Sequence, residues 1–180
     1  MRVCIWGLPG AGKSSLLPTL ANALNLPAFD LDNLIIQEKQ IPIARFFQLF
    51  GENYFRQTES QQLQSLFADH ERFVLACGGG TPCFQENNSL MSSNSVCIWL
   101  NPNIHIIAHR ILSQNPHSRP VIQGKTKPSI LKSLQNLLSN RVFYYQQAHI
   151  ICAEESIEIA ELAIKINSYW HQLRSIDNLQ

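Results

Sequence analysis

Two glycines, a lysine and a serine lie at fixed spacing near the start of the chain, directly after a short apolar run. The segment 7–14 reads GLPGAGKS and matches the pattern G-x-x-x-x-G-K-[ST]. Glycines at the framing positions let the backbone wrap closely enough for successive N–H groups to point at phosphate oxygens. The lysine adds a positive charge for the outer phosphates, and the serine hydroxyl can bind Mg²⁺. A glycine turn with an incidental lysine is the alternative, but the position at a strand end favours a nucleoside triphosphate site.

A helix that begins near Lys13 would direct the positive end of its dipole at the same phosphates. Lys13 is therefore a candidate catalytic group, and Ser14 is a candidate metal ligand. The expected nucleotide contacts in this segment are Gly7, Leu8, Pro9, Gly10, Ala11, Gly12, Lys13, Ser14 and Ser15.

Two carboxylates follow the second apolar run, where residues 29–32 read FDLD. In an extended segment Asp30 and Asp32 point to the same side of the strand. Near Ser14, such a pair could divide the binding of Mg²⁺ and of a substrate hydroxyl between them. The alternative is that both aspartates are helix N-caps.

The elements that position these groups follow from the hydrophobic pattern, because short apolar runs alternate with helical patterns. This alternation predicts βα units and a parallel sheet. The predicted strands are 3–6, 28–31, 73–77, 96–100 and 150–152. The last helix should pack one face on the core, formed by Ile159, Leu162, Ala163, Ile166, Trp170 and Leu173.

Length and composition are typical of a small globular enzyme. A chain of 180 residues with 45% hydrophobic and 15% charged residues can form one domain with a substantial core. The net charge of +1 argues against broad binding to nucleic acid or membranes. Five cysteines without a C-x-x-C pair fit reduced thiols in the cytoplasm. We find no segment resembling a membrane span or a signal peptide.

Other sequence features narrow the class of nucleotide-binding protein. The chain lacks the N-K-x-D and D-x-x-G motifs, so a GTPase switch is unsupported. Two segments interrupt the regular pattern: a triple glycine after the third strand, and the polar, proline-containing stretch 114–128. Ligands of open parallel sheets gather beyond the carboxyl ends of the strands, which is where the phosphate loop and the triple glycine lie.

A larger set of motifs resembles the shikimate kinase family. Residues 51–59 contain G-E-x-x-F-R-x-x-E, and D-x-D, G-G-G, an Arg-Pro pair at 119–120 and R-x-x-x-Y at 141–145 follow the family's order and approximate spacing. Each motif alone is weak, whereas the ordered set over residues 1–150 is specific. The resemblance implies an ATP-dependent, Mg²⁺-requiring kinase that converts shikimate to shikimate 3-phosphate in chorismate and aromatic amino acid biosynthesis.

The resemblance also implies the architecture. We expect a single domain over 1–180 with a three-layer α/β fold of the P-loop NTPase type. A central parallel sheet of about five strands would carry helices on both faces and a mobile lid. The expected state is a cytoplasmic monomer whose partners are ATP and shikimate.

Roles for individual residues follow from the same resemblance. Arg56 and Arg141 match the arginines that bind the shikimate carboxylate, which suits the planar fork of a guanidinium. Glu59 would orient Arg56, although a surface i,i+3 pair is the ordinary alternative. Asp32 matches the aspartate that holds and polarises a ring hydroxyl, and Asp30 the one near Mg²⁺.

The resemblance also implies where the substrate region, the lid and the adenine contact lie. The substrate region is expected at about 30–62 and the lid at about 114–128, with Arg119 in the lid adding positive charge at the γ-phosphate. Arg110 matches an arginine that stacks on adenine. Bare backbone for the approaching substrate is expected at Gly78, Gly79 and Gly80, for which a flexible turn is the alternative.

Two other functions are compatible with a phosphate loop: a kinase of another polyol acid, and a catalytically idle binding module. A gluconate-type kinase should lack the Arg56 and Arg141 pair, and an idle P-loop binding module should have lost at least one of the reactive residues.

The sequence departs from the family in the helix after the phosphate loop, where Leu17-Pro18 replace the usual Gly-Arg. A proline at this helix position can cost ~3 kcal/mol and kink the helix behind the phosphate loop.

Overall fold

The chain folds around one parallel β-sheet. The structure is a computed structural model, and it describes residues 1–84, 86–113, 126–153 and 157–177. The strands are β1 (Arg2–Trp6), β2 (Ala28–Asp30), β3 (Phe73–Ala76), β4 (Val96–Leu100) and β5 (Ile150–Cys152). All neighbours pair in parallel in the order β2-β3-β1-β4-β5. The predicted strands are confirmed, with differences of at most one residue at an end.

Helices connect the strands and pack around the sheet. They are α1 (Lys13–Leu24), α2 (Leu31–Lys39), α3 (Ile43–Asp69), α4 (Asn87–Asn94), α5 (Ile104–Ser113), α6 (Lys127–Tyr145) and α7 (Ile159–Asp177), with a 3₁₀ turn at Thr81–Cys83. The central strands are buried on both faces, as expected for a parallel sheet, and residues 3–6 of β1 are fully buried. In α7, Leu162 and Ile166 are buried and the rest of the predicted face packs against the core. Within the described ranges, no helix is long and apolar enough to cross a membrane.

The acidic pair after β2 differs from the sequence prediction. β2 ends at Asp30, and Asp32 lies in the first turn of α2. The expectation that both aspartates point to one side of an extended strand is therefore wrong. Asp30 is the N-cap of α2, and its side chain accepts a hydrogen bond from the Asn33 amide at 3.3 Å. The N-cap alternative thus holds for Asp30, because a carboxylate satisfies a free N–H at a helix start.

Two helices show how local sequence adapts to the fold. α1 runs without interruption from Lys13 to Leu24 although it contains Pro18, and Pro18 lies on the exposed face of the helix. α3 bends at Gly51, where φ is 78° and ψ is 172°. A side chain at this left-handed φ would be strained, so glycine allows the bend. The bend folds the aromatic rings of Phe46 and Phe55 together, with centroids 5.8 Å apart.

The predicted lid is only partly within the structure. Residues 114–125, which include Arg119, lie outside the described residues. The final three residues of the predicted lid belong instead to the start of α6, where Thr126 is the N-cap and accepts a hydrogen bond from the Ser129 amide. Lys127 and Pro128 occupy the first helical positions, where proline is well tolerated because its missing N–H has no helical partner. The end of the predicted lid thus overlaps the first turn of α6, and the extent of the lid stays a prediction.

Candidate active site

The phosphate loop joins β1 to α1 at the carboxyl edge of the sheet. Gly12 is the N-cap of α1 with φ 108°, so the helix begins at Lys13 as predicted. The Lys13 ammonium donates to the carbonyl oxygens of Gly7 at 2.9 Å and Leu8 at 3.1 Å. The lysine therefore lies folded over the loop, with its charge on the carbonyls of the first two loop residues.

A cavity of about 530 Å³ opens beside this loop. Its lining includes loop residues 10–15, and opposite them Pro102 from the β4–α5 connection and Ile157 before α7. Arg110 of α5 also lines it and donates from Nη1 to the Ala11 carbonyl at 3.0 Å. The cavity combines anion-binding backbone with an apolar far wall, as a nucleotide site requires.

A second cavity of about 700 Å³ lies on the other side of Lys13. Most of the predicted acceptor-site residues line it: Asp30, Asp32, Arg56, Glu59, Gly78, Gly79, Gly80 and Arg141. Lys13 and Ser14 line both cavities, so the two cavities meet at the end of the phosphate loop. A phosphoryl donor in one cavity and an acceptor in the other would thus react at this lysine and serine.

Arg56 and Glu59 form a buried ion pair at the back of the second cavity. Their relative exposures are 8% and 0%, so the surface-pair alternative is wrong. Arg56 donates from Nη1 to Glu59 Oε2 at 2.7 Å and from Nη2 to Glu52 Oε1 at 3.3 Å. Two carboxylates therefore hold the guanidinium in one orientation, with one edge available to the cavity.

Arg141 of α6 brings a second buried guanidinium to this cavity. Its exposure is 8%, and among the described residues its buried Nη1 has no hydrogen-bond partner. An unpaired buried donor that carries a positive charge is costly unless an anionic acceptor satisfies it. The geometry therefore favours an anionic ligand group between Arg141 and Arg56.

The triple glycine lies between these charged side chains. A Cβ on Gly80 would come within 2.5 Å of the Arg56 guanidinium carbon, and one on Gly79 within 2.9 Å of Arg141 Nη1. A Cβ on Gly78 would collide with the Glu59 carboxylate. The glycines let the ion pair and Arg141 pack directly against backbone. The Tyr145 hydroxyl further holds this segment by donating to the Gly79 carbonyl at 2.5 Å.

Asp32 lines the second cavity, where the pKa of its carboxyl is raised. Burial, together with the nearby carboxylates of Glu59 and Asp30, raises the pKa of its carboxyl to about 6, against the opposing charges of Lys13 and Arg56. Asp30 is bonded to the phosphate-loop helix, because its Oδ2 accepts from the Ser14 hydroxyl at 3.0 Å. The metal candidates Ser14 and Asp30 thus lie together, and Asp32 lies with the acceptor-site residues.

Most of the predicted site residues line one of the two cavities, and a few lie elsewhere. Pro9, predicted to bind nucleotide, lines the second cavity instead, and Gly7 and Leu8 contribute carbonyls to Lys13 rather than cavity wall. Arg119 lies outside the described residues.

Sequence reasoning missed the apolar wall of the second cavity and one hydroxyl beside it. The wall is formed by Ile36, Pro42, Ile43, Ala44, Phe47 and Phe55. The hydroxyl belongs to Thr81, which donates to Glu59. Phe55 alone of these residues belongs to a motif cited above, and no local pattern in the sequence indicates the Thr81 contact.

The fold and the phosphate loop define the class, a P-loop NTPase-like fold with a five-stranded parallel sheet. The model of the shikimate kinase family matches residues 9–169. The chain is 33% identical over 150 residues to a shikimate kinase of Azobacteroides pseudotrichonymphae, covering 83% of this chain and 88% of that one. It is 30% identical over 180 residues to the shikimate kinase of Bacteroides fragilis, covering 99% and 97%.

Solved structures agree with these relatives. The shikimate kinase of Bacteroides thetaiotaomicron superposes with a TM-score of 0.82 at 29% identity, covering 95% of this chain and 98% of that one. The enzyme of Acinetobacter baumannii in complex with shikimate gives 0.81 at 25% identity, covering 95% and 93%. This chain belongs to the shikimate kinase family.

Proposed function

We propose that the two cavities hold the two substrates of an ATP-dependent phosphorylation of shikimate, with ATP beside the phosphate loop and shikimate beside the triple glycine. The carrying observation is that the cavities share Lys13 and Ser14, so one substrate's γ-phosphate and the other's hydroxyl meet there. Phosphoryl transfer depends mainly on positioning and charge neutralisation, which this junction supplies.

The second cavity fits a small ring that carries one carboxylate and several hydroxyls. Arg56, held by Glu59, and the unpaired Nη1 of Arg141 supply cationic donors for the carboxylate. The apolar wall around Phe47 and Phe55 suits the ring carbons, and bare backbone at 78–80 leaves room for close approach. Arg110 lines the other cavity, which supports the proposal that it contacts the adenine base.

We propose that Asp32 holds the reacting hydroxyl and accepts its proton at a carboxylate oxygen. A carboxyl with a pKa of about 6 is ionised near neutral pH and is a better proton acceptor than an ordinary aspartate. Lys13 would neutralise charge on the transferred group from its position over the loop. We also propose that the segment 114–128, with Arg119, closes over the γ-phosphate and excludes water.

The oxygens of Ser14 and Asp30 fit a Mg²⁺ site. The two side chains are bonded at 3.0 Å, and hydroxyl and carboxylate oxygens are the donors that this hard cation prefers. Ser14 would bind the ion directly and Asp30 through water, and the bound ion would neutralise phosphate charge. We further propose that residues 1–180 form a single domain and that the protein is a cytoplasmic monomer. The free thiols of Cys4, Cys77, Cys83 and Cys97 fit a reducing compartment.

The proposal is tested by coupled ADP release with shikimate, with gluconate and with no acceptor. We expect Mg²⁺-dependent ADP release with shikimate alone and little hydrolysis without acceptor. Turnover with gluconate and none with shikimate would refute the substrate, and rapid hydrolysis without acceptor would refute phosphoryl transfer. The Lys13→Ala variant should lose transfer but retain shikimate binding in calorimetry without nucleotide, because the lysine contacts phosphates rather than the ring.

A further inference from the structure

We infer that Thr81 is a positioning residue for the acceptor substrate, acting through Glu59 on the guanidinium of Arg56. The inference rests on the proposed function, because it assigns how the carboxylate-binding arginine is held. Thr81 is the first residue of the 3₁₀ turn that follows the triple glycine, and it is fully buried.

The hydroxyl of Thr81 completes the hydrogen bonding of a buried carboxylate. It donates to Glu59 Oε1 at 2.5 Å, while Glu59 Oε2 accepts from Arg56 Nη1 at 2.7 Å. Each carboxylate oxygen therefore has its own donor, one neutral and one cationic. A carboxylate held at both oxygens cannot rotate about its terminal bond without losing a short hydrogen bond, so it presents a fixed acceptor to the arginine.

The backbone of Thr81 is itself anchored at two points. Its amide donates to the Gly78 carbonyl at 3.1 Å, and its carbonyl accepts from the Asn87 side-chain amide at 3.0 Å. Asn87 is buried at the start of α4, so the chain of contacts runs from α4 through the turn to α3. The position of Arg56 is thus set by a second structural element in addition to its own helix.

Loss of the hydroxyl alone has a defined consequence. Thr81→Val keeps the branched shape but leaves Glu59 Oε1 without a donor, so the carboxylate is free to turn towards other donors. Arg56 then loses its fixed orientation, whereas the nucleotide cavity, which lies beyond Lys13, is unchanged. A change limited to acceptor binding raises KM for shikimate and leaves kcat and the KM for ATP nearly unaltered.

The experiment compares Thr81→Val with Thr81→Ser and with a matched control, Thr58→Val. Thr58 is a buried threonine of α3, but its hydroxyl donates to the Tyr54 carbonyl of the same helix, away from the cavity. We expect Thr81→Val to raise KM for shikimate on the order of tenfold, the loss expected for a hydrogen bond to a charged group. Thr81→Ser and Thr58→Val should stay within about twofold of the wild type. An equal KM in Thr81→Val and Thr58→Val would overturn the inference.

Two further measurements separate this inference from the proposed function. In an Arg56→Lys background, Thr81→Val should add little, because coupled residues are not additive, and full additivity would refute coupling. The second is NMR of the Arg56 guanidinium in the ligand-free wild type, where a held group gives separate Nη–H signals. A single averaged signal overturns the inference even if Thr81→Val does not fold. Absence of wild-type turnover with shikimate would refute the proposed function while leaving the NMR test in force.

Discussion

Asp32 is predicted to make the protein less stable in order to serve as a proton acceptor. Its carboxyl is surrounded by low-dielectric wall and by two other carboxylates, so ionisation is disfavoured in the folded state. Replacement of Asp32 by Asn removes the charge and keeps the shape. We therefore expect Asp32→Asn to raise the free energy of unfolding while it abolishes most of the transfer activity.

The magnitude follows from the shift in pKa. Folding raises the pKa of Asp32 from 3.8 to about 6. Because one pKa unit corresponds to about 1.4 kcal/mol, the ionised side chain costs the folded protein about 3 kcal/mol. This is a large part of the stability of a domain of this size.

The sign of the pH dependence is specific. Between pH 3.8 and about 6 the folded protein holds a proton on Asp32 that the unfolded chain has lost, so this group lowers stability as pH rises through that window. Above pH 6 the penalty is complete, and below pH 3.8 it is absent. The stability gained by Asp32→Asn should therefore be greatest at pH 7 and small near pH 4.

The assay is urea unfolding of the wild type and Asp32→Asn at several pH values, in EDTA and without nucleotide so that no cation offsets the charge. Asp69→Asn, an exposed aspartate at the end of α3, controls for the change in net charge. In the transfer assay Asp32→Asn should be slower by about 10²–10⁴-fold, the usual effect of losing a general base. A variant no more stable than the wild type at pH 7, or a gain that does not change with pH, would refute the reasoning.

Three further predictions concern other contacts. Arg56→Lys should raise KM for shikimate by roughly ten- to a hundredfold without changing KM for ATP, because an ammonium lacks the planar fork; unchanged kinetics would contradict this role. Tyr145→Phe should lower the free energy of unfolding by about 0.5–1.5 kcal/mol in urea titrations, since the partly buried Gly79 carbonyl loses its donor, and an unchanged midpoint would argue against that bond. His149 accepts from the Cys97 amide through Nδ1 at 3.0 Å, and burial lowers its pKa. The stability advantage of the wild type over His149→Leu should therefore be full above pH ~6.5 and shrink as pH falls, whereas a constant difference would be inconsistent.

The sequence was sufficient for the sheet and the phosphate loop because both depend on local patterns. The strands are short apolar runs, and the loop needs glycines at fixed spacing before a lysine. The start of α1 at Lys13 was predicted for the same reason. The end of β2 was misjudged because Asp30 is compatible both with an extended strand and with an N-cap, and the capping bond to Asn33 decides between them.

The residues of the acceptor site could be predicted from the family motifs, but their burial and contacts could not be predicted from local sequence patterns. Arg56 and Glu59 are three residues apart on a helix, which ordinarily indicates an exposed pair, and only tertiary packing buries them. The distance between Thr81 and Glu59 along the chain is too large for any local pattern to show their contact. Pairings of this kind depend on how the 3₁₀ turn meets α3, which is a property of the whole fold.

The central claim is that the phosphoryl group passes from ATP to a shikimate hydroxyl at the junction of the two cavities. The most direct measurement is ³¹P NMR of a reaction that contains the protein, ATP, Mg²⁺ and shikimate. The account predicts one new phosphate monoester signal, coupled to the proton on carbon 3 of the ring, growing in step with ADP. Inorganic phosphate in place of the monoester, or a monoester on a different carbon, would contradict it.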